Sequence, residues 1–252
     1  MPSLDIMARV ALETLRISIP TILDAARGTV SARVCDERLD SWSRRLVVEA
    51  GILLQVHGRE YIVPGEGYIV MSNHQSHYDI PVLFQALRIS MRMVAKQELF
   101  RIPFMGGAMR AAGFIELDRS HQRGALETLL TAHGRLPESM SLWIAPEGTR
   151  SRTGRLGPFK RGGFRMAMHS SMRILPVTID GTQRTLPAGH LSVRRGNMAR
   201  VTISAPVDPA RYGPGRMKEL IACVRGAIEQ HLPERSHADI RSQTFEEEGV
   251  SA

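Results

Sequence analysis

His74 and Asp79 have the clearest chemical use of any residues in the sequence. An imidazole near its ordinary pKa accepts a hydroxyl proton at neutral pH, and a carboxylate on its other ring nitrogen fixes the tautomer and stabilises the imidazolium. This arrangement is the base and orienter of a catalytic triad, with a substrate hydroxyl as the nucleophile. His77 is an alternative base, but it lies two residues from Asp79, and such neighbours do not face each other where the segment enters a helix. The sequence therefore predicts His74 as the base.

Three polar clusters, one of which holds His74 and Asp79, each follow a short apolar run that predicts a β-strand. They are residues 73–79 after 68–71, residues 118–119 after 113–117, and residues 147–150 after 142–144. In open α/β sheets, ligands bind just beyond the carboxyl ends of the strands. We therefore expect the three clusters to meet at one edge of a sheet and to form one site.

The second and third clusters carry arginines suited to a phosphate group. Guanidinium binds phosphate oxygens bidentately through its planar fork of N–H donors, which makes Arg119 and Arg150 candidate phosphate ligands. Lys160 is a further cation close in sequence to Arg150. Gly148 permits a close backbone approach to a ligand, and Glu147 is able to hydrogen-bond a polyol hydroxyl or to position an arginine.

Apolar runs and helical periodicities alternate along most of the chain. The runs at 68–71, 91–95, 113–117, 142–144, 174–179 and 201–203 predict strands, and the stretches 80–88, 121–134, 161–170 and 215–231 predict helices. This alternation predicts an α/β fold, a single domain whose central, mostly parallel or mixed sheet is covered by helices. Amphipathic helices are expected to precede it.

The first 20 residues have the pattern of an amphipathic helix. Its charged residues are spaced by four, four and three positions and draw one narrow stripe: Asp5, Arg9, Glu13 and Arg16. Pro20 is expected to stop or kink this helix. Because most of the remaining circumference is apolar, the helix suits either the protein's own core or a bilayer interface. The sequence contains no run of about 18 uninterrupted apolar residues, so it does not predict a transmembrane span.

Charge is distributed unevenly along the chain. Residues 148–207 hold eleven Lys and Arg residues and one acidic residue, although the whole chain has a net charge of +8. Such a segment suits a phosphorylated ligand or an anionic membrane surface. Nucleic acid is not expected, since only Phe159 and Phe164 are available for stacking and no reading module is recognisable.

Several other site classes lack their sequence signals. No Walker loop or G-x-G-x-x-G follows a strand, no G-x-S-x-G elbow supplies a serine nucleophile, and the histidines have no zinc-binding spacing. The two cysteines, Cys35 and Cys223, are too few for a disulfide framework, and Cys223 is expected to be a buried thiol. We therefore expect neither a metal nor a bound cofactor.

Taken in order, the clusters resemble the four signature blocks of the glycerolipid acyltransferases, the lysophosphatidic acid acyltransferase group in particular. Residues 73–79 are similar to the N-H-x4-D block, 113–119 to the second block, 144–151 to the E-G-T-R-S block and 175–177 to the proline-centred fourth. The resemblance covers about residues 35–207. Ala145 departs from it, because family members often carry a bulkier residue there.

The resemblance implies His74 and Asp79 as the catalytic pair. It further implies a set of residues that bind the acceptor: Arg119, Glu147, Gly148, Thr149 and Arg150, assisted by Lys96 and Lys160. The implied reaction moves a fatty acyl group from acyl-CoA or acyl carrier protein to 1-acylglycerol-3-phosphate, forming phosphatidic acid without metal or prosthetic group. Backbone amides near the start of the 80–88 helix are one possible oxyanion site. An N-terminal helix on an anionic membrane surface, at the cytoplasmic face of the cell membrane, is also implied.

This interpretation divides the chain into three parts: residues 1–34 as a membrane-association element, 35–233 as the acyltransferase domain and 234–252 as a disordered polar tail. Two alternatives remain open. One is transfer to another lysophospholipid or a lyso-aminolipid, and the other is a catalytically silent membrane-binding protein with the same fold.

Overall fold

The computed structural model describes residues 4–117, 127–131, 134 and 136–233. The strands are β1 Leu53–His57, β2 Ile69–Ser72, β3 Met91–Lys96, β4 Ile115–Leu117, β5 Ser141–Ile144, β6 Ile174–Asp180 and β7 Met198–Ile203. The helices are α1 Leu4–Ala26, α2 Ala32–Glu49, α3 Asp79–Leu87, α4 Gln97–Phe100, α5 Met105–Ala111, α6 Gly162–Ser170, α7 Thr182–Thr185 and α8 Met217–Glu229. Single 3-10 turns lie at Arg59–Tyr61, Pro209–Arg211 and Pro214–Arg216.

The strands form one sheet in the order β1-β7-β6-β2-β5-β3-β4. β2 lies parallel to β5 and β6, and β3 lies parallel to β5 and β4, whereas β7 runs antiparallel to β6. Every residue of β2 is buried, which is typical of a parallel strand covered on both faces. The predicted α/β fold with a mixed sheet is confirmed.

Helices cover both faces of the sheet. On one face, side chains of α1, α2, α3 and α5 join a core that includes Val70, Leu83 and Val177. On the other face, Phe164 of α6 and Leu220 of α8 pack into a second core. The helices thus leave the strand ends as the place where polar side chains can meet.

The N-terminal helices form a pair in which Arg9 and Glu13 of the charged stripe of α1 contact α2. Arg9 pairs with Glu49 at 3.3 Å, and Glu13 pairs with Arg45 at 3.4 Å. Another part of α1 packs inward through Ile6. A third part stays in solvent and is apolar: Leu12, Leu15, Ile19 and Leu23.

Three expectations about local structure were wrong or incomplete. α1 does not stop at Pro20 but continues to Ala26. Arg38 of α2 contacts its last turns by donating to Thr21 and Asp24. Cys223 is exposed rather than buried. The edge strand β1 and the short helices α4 and α5 were not predicted.

Some expectations fall outside the described residues. These are Asp118 and Arg119, the tail at 234–252 and most of the predicted helix at 121–134, of which residues 127–131 are described and helical. Among the described residues, no helix is both long enough and apolar enough to cross a bilayer.

Candidate active site

Three adjacent strands place the site. β5, β2 and β6 are neighbours and run parallel, so their carboxyl ends share one edge of the sheet. His74 follows β2, Glu147 follows β5, and Thr182 follows β6. Two of the three expected clusters therefore meet, and β6 adds a third group of residues that the sequence did not single out.

His74 and Asp79 are in direct contact at this edge. His74 Nδ1 lies 2.7 Å from Asp79 Oδ2, and Asp79 is fully buried as the first residue of α3. A proton on Nδ1 is donated to the carboxylate, which leaves Nε2 with its lone pair free to accept a proton from a substrate. The pair has the geometry of a base and its orienter.

Asp79 is held by further donors from two segments. Its Oδ2 atom accepts hydrogen bonds from the backbone N–H groups of Gln75 at 2.7 Å and Ser76 at 3.0 Å. Its Oδ1 atom accepts one from the Thr182 hydroxyl at 2.5 Å. These hydrogen bonds fix the orientation of the carboxylate.

The turn that carries His74 is locked to β6 and to the core. Asn73 Nδ2 donates to the Ile179 carbonyl, and Asn73 Oδ1 accepts from Ile179 N–H, both at 2.8 Å. The Trp143 ring meets the His74 ring edge-on at a centroid distance of 5.3 Å, and its Nε1 donates to Ser72 Oγ. These contacts restrict the His74 ring without using Nε2.

Glu147 joins two loops of the site. Its carboxylate, which is 6% exposed, accepts from His74 N–H at 3.1 Å and from Gly157 N–H at 2.8 Å. Burial raises the pKa of Glu147, and the two N–H donors partly offset the rise. Glu147 therefore ties the β5 loop to the His74 turn, and it accepts no hydrogen bond from a Lys or Arg side chain among the described residues.

Three cations lie near the site: Arg150, Lys160 and Lys96. Burial lowers the pKa of Arg150, and the charge of Asp79 partly opposes this. Gly148 has a φ of +74°, and a Cβ there would lie 2.9 Å from Lys160 Nζ, so glycine lets Lys160 lie against the loop. Lys96, at the end of β3, acts electrostatically on His77. Among described residues, Arg150, Lys160 and Lys96 form no ion pair with a carboxylate, and Thr149 is exposed beside them.

His77 lies on the same turn but is placed differently from His74. Its pKa is lowered to about 4, first by desolvation and then by the charge of Arg150. It is therefore neutral at neutral pH, and the Asp79 side chain is bonded to His74 instead. His77 and Tyr78 border an apolar cavity rather than the carboxylate.

This cavity has a volume of about 390 Å³ and lies between α1, α2, α3 and α5. Two of its polar lining groups are hydrogen-bonded: Thr14 Oγ1 donates to the Val10 carbonyl, and Trp42 Nε1 donates to Thr14. The buried Tyr78 hydroxyl has no hydrogen-bond partner among the described residues. Volumes of about 300–1,000 Å³ with apolar walls are typical of ligand pockets. The cavity therefore suits an apolar chain that reaches His77, one turn from the catalytic pair.

Comparisons with known proteins agree with this architecture. The acyltransferase family model matches residues 53–180, about half of the chain. The chain is 35% identical over 139 residues to the chloroplastic 1-acyl-sn-glycerol-3-phosphate acyltransferase of Brassica napus, with 55% of this chain and 40% of that protein covered. It thus spans about two fifths of the length of that plant relative.

A bacterial relative is covered more fully. The chain is 31% identical over 167 residues to the 1-acyl-sn-glycerol-3-phosphate acyltransferase of Salmonella typhimurium, with 66% of this chain and 67% of that protein covered. The crystal structure of the 1-acyl-sn-glycerophosphate (LPA) acyltransferase PlsC from Thermotoga maritima matches with a TM-score of 0.71 at 24% identity, over 91% of this chain and 98% of that chain, which shows the fold. The resemblance found in the sequence is thereby confirmed, and the chain belongs to the acyltransferase family.

Proposed function

We propose that the chain transfers a fatty acyl group from an acyl thioester, acyl-CoA or acyl carrier protein, to the free hydroxyl of 1-acylglycerol-3-phosphate. The product is phosphatidic acid, and the place of the reaction is phospholipid biosynthesis. The names of the relatives support this acceptor. The reaction requires no metal or prosthetic group.

One observation carries the proposal. The His74–Asp79 pair is in contact at 2.7 Å, and an apolar cavity reaches His77 on the same turn. Arg150 interacts electrostatically with Asp79, and neither it nor Lys160 nor Lys96 forms an ion pair with a carboxylate among the described residues. A fatty acyl chain fits the cavity because its walls are apolar, and a phosphate fits the cations because they donate N–H groups without competition. The acyl chain and the acceptor's phosphate thus bind at chemically different places near one base.

In the proposed reaction, His74 Nε2 takes the proton of the glycerol hydroxyl as the oxygen attacks the thioester carbonyl. Asp79 stabilises the imidazolium that forms. The tetrahedral oxyanion then collapses, the carbon–sulfur bond breaks, and His74 gives its proton to the departing sulfur, so that a thiol is released and the neutral imidazole is restored. No covalent intermediate with the enzyme is formed.

The start of α3 does not offer free amides for the oxyanion. Tyr78 N–H donates to Ser76 Oγ at 3.1 Å, and Asp79 N–H donates to the Ser76 carbonyl at 3.3 Å. Ile80 N–H donates to the His77 carbonyl at 3.4 Å. The N–H groups of Tyr78, Asp79 and Ile80, at the oxyanion site suggested by the sequence, therefore already donate hydrogen bonds within the protein.

We also propose roles for the surrounding residues. Arg150 and Arg119 bind the acceptor's phosphate, with Lys96 and Lys160 adding positive charge. Gly148 and Thr149 border the acceptor, and Glu147 holds the loop that carries them. Arg119 lies outside the described residues, so its role follows from the resemblance alone.

The acceptor is a lipid, and the exposed apolar side of α1 supports peripheral binding to a membrane. Leu12 is 63% exposed and Ile19 is 45% exposed on that side. We propose that this surface enters the interface of an anionic membrane at the cytoplasmic face. The cavity between α1 and α5 then opens close to the lipid.

A transfer assay that crosses several lysolipids with both thioester types tests the proposal. We expect diacyl product from 1-acylglycerol-3-phosphate in an amount equal to the thiol released. Faster transfer to a different lysophospholipid or a lyso-aminolipid would show that the acceptor is a different lipid but that the reaction is still acyl transfer. Fatty acid release without acceptor would indicate a thioesterase, and vesicle binding without any turnover would indicate a silent membrane-binding protein.

A further inference from the structure

Thr182 lies outside the sequence blocks that predicted the site, yet it touches the catalytic carboxylate. Its hydroxyl donates to Asp79 Oδ1 at 2.5 Å, and both side chains are fully buried. Among the described residues it is the one recorded donor to Oδ1, because the other three hydrogen bonds of Asp79 go to Oδ2. The two carboxylate oxygens are thus held from opposite directions.

The fold holds Thr182 in place through the turn after β6. Gly181 has a φ of +98°, and a Cβ at this position would lie 2.0 Å from the Met198 carbonyl oxygen, so only glycine fits against β7. Downstream, the Leu186 carbonyl accepts a hydrogen bond from Ser76 Oγ at 2.8 Å. The turn from β6 is therefore clamped at one end to β7 and at the other to the His74 turn.

We infer that Thr182 is a positioning residue for the proposed acyl transfer, acting through Asp79. A carboxylate with a donor on Oδ1 cannot rotate about its Cβ–Cγ bond without losing that hydrogen bond. Oδ2 therefore stays aligned with His74 Nδ1, which keeps the proton on Nδ1 and the lone pair on Nε2. The inference rests on the proposed function, and it gives the segment after β6 a role in orienting the catalytic pair.

Substitution by valine isolates the hydroxyl, because valine has nearly the shape of threonine. In Thr182→Val we expect kcat to fall about ten- to a hundredfold, the range for a lost hydrogen bond to a charged group. The KM values for acceptor and donor should stay within about twofold. Thr182→Ser retains the donor and should restore most of kcat.

Thr185 provides a matched control on the same short helix. It is also fully buried, but its Oγ1 atom has no hydrogen-bond partner among the described residues. Thr185→Val should therefore leave kcat unchanged. If it lowers kcat as much as Thr182→Val, the effect comes from disturbed packing and the inference is overturned. If Thr182→Val does not fold, Thr182→Ser and Thr182→Ala, which differ by the hydroxyl alone, decide: equal kcat values overturn the inference.

A second readout needs no substrate. In ¹⁵N-histidine-labelled protein, the His74 Nδ1–H proton should give a downfield resonance, because it is donated to a carboxylate. We expect the resonance to broaden or move upfield in Thr182→Val and to persist in Thr182→Ser and Thr185→Val. An unchanged resonance in Thr182→Val overturns the inference. An absence of acyl transfer in the unmodified chain, with the resonance changes as expected, would count against the proposed function alone.

Discussion

Replacement of Asp79 by asparagine removes the charge of the catalytic pair and little else. An asparagine Oδ1 in the place of the Asp79 Oδ2 atom still accepts from Gln75 N–H and Ser76 N–H, the donors at 2.7 and 3.0 Å. The new NH₂ group meets Thr182 Oγ1, and a hydroxyl accepts as readily as it donates. We therefore expect the variant to fold.

The loss of charge determines the size of the effect. The carboxylate and imidazolium charges are centred about 4 Å apart, and at an effective dielectric constant of about 20 they attract by about 4 kcal/mol. If the transition state carries a full imidazolium, Asp79→Asn lowers kcat about a thousandfold, since each ~1.4 kcal/mol is a factor of ten. The KM for the acceptor should change less than kcat, because Asp79 is buried and its hydrogen bonds go to His74, Gln75, Ser76 and Thr182.

The assay is thiol release from an acyl thioester in the presence of lysolipid, with a thermal melt to verify folding. Asp180→Asn makes the same chemical change at the end of β6, where the carboxylate lies 3.5 Å from Arg184, and should retain activity. A folded Asp79→Asn variant with near-native kcat would refute the role of the pair.

Three further predictions concern the surroundings of the pair. Arg150→Ala should raise the KM for a phosphorylated acceptor about tenfold or more while leaving the KM for the acyl donor unchanged. Equal effects on the two KM values would rule out a role of Arg150 in binding phosphate. Burial raises the pKa of Glu147 above its ordinary 4.5, so the folded state binds a proton at this carboxyl more tightly than the unfolded state does. The stability that the folded state gains from this protonation is complete below pH 4.5 and is lost as the pH rises through the raised pKa. Urea unfolding should then show wild-type stability falling relative to Glu147→Gln as the pH rises above 4.5. A difference that does not change with pH would contradict this. Replacing Leu12 and Ile19 by serine should weaken co-sedimentation with anionic vesicles about tenfold, whereas Tyr61→Ser, at a similarly exposed residue, should not.

The sequence was most informative where its periodicity and its chemistry coincide. The apolar runs of β2 and β6 predicted strands because nearly all of their residues are buried, and the His74–Asp79 spacing predicted a contact that the structure shows at 2.7 Å. β1 was missed because it is a short edge strand that alternates between exposed and half-buried residues. Such a strand forms because it pairs with β7, and no local sequence pattern indicates that pairing.

Two parts of the site depend on long-range contacts and were therefore beyond sequence reasoning. Thr182 reaches Asp79 across 103 positions of the chain, and threonine after a strand gives no signal of its own. The apolar cavity exists because α1 packs on α2 and α5. The apolar face of α1 was visible in the sequence, but its division into an inner wall and an exposed side follows from that packing.

The central claim is that His74 acts as the base in acyl transfer to a lysophospholipid hydroxyl. The most direct test is to incubate the chain and its His74→Ala variant with an acyl thioester and 1-acylglycerol-3-phosphate, and to quantify phosphatidic acid and free thiol together. We predict equal amounts of both products from the unmodified chain, and at least a thousandfold slower formation of both by a variant with unchanged circular dichroism. Near-native phosphatidic acid formation by His74→Ala would contradict the account.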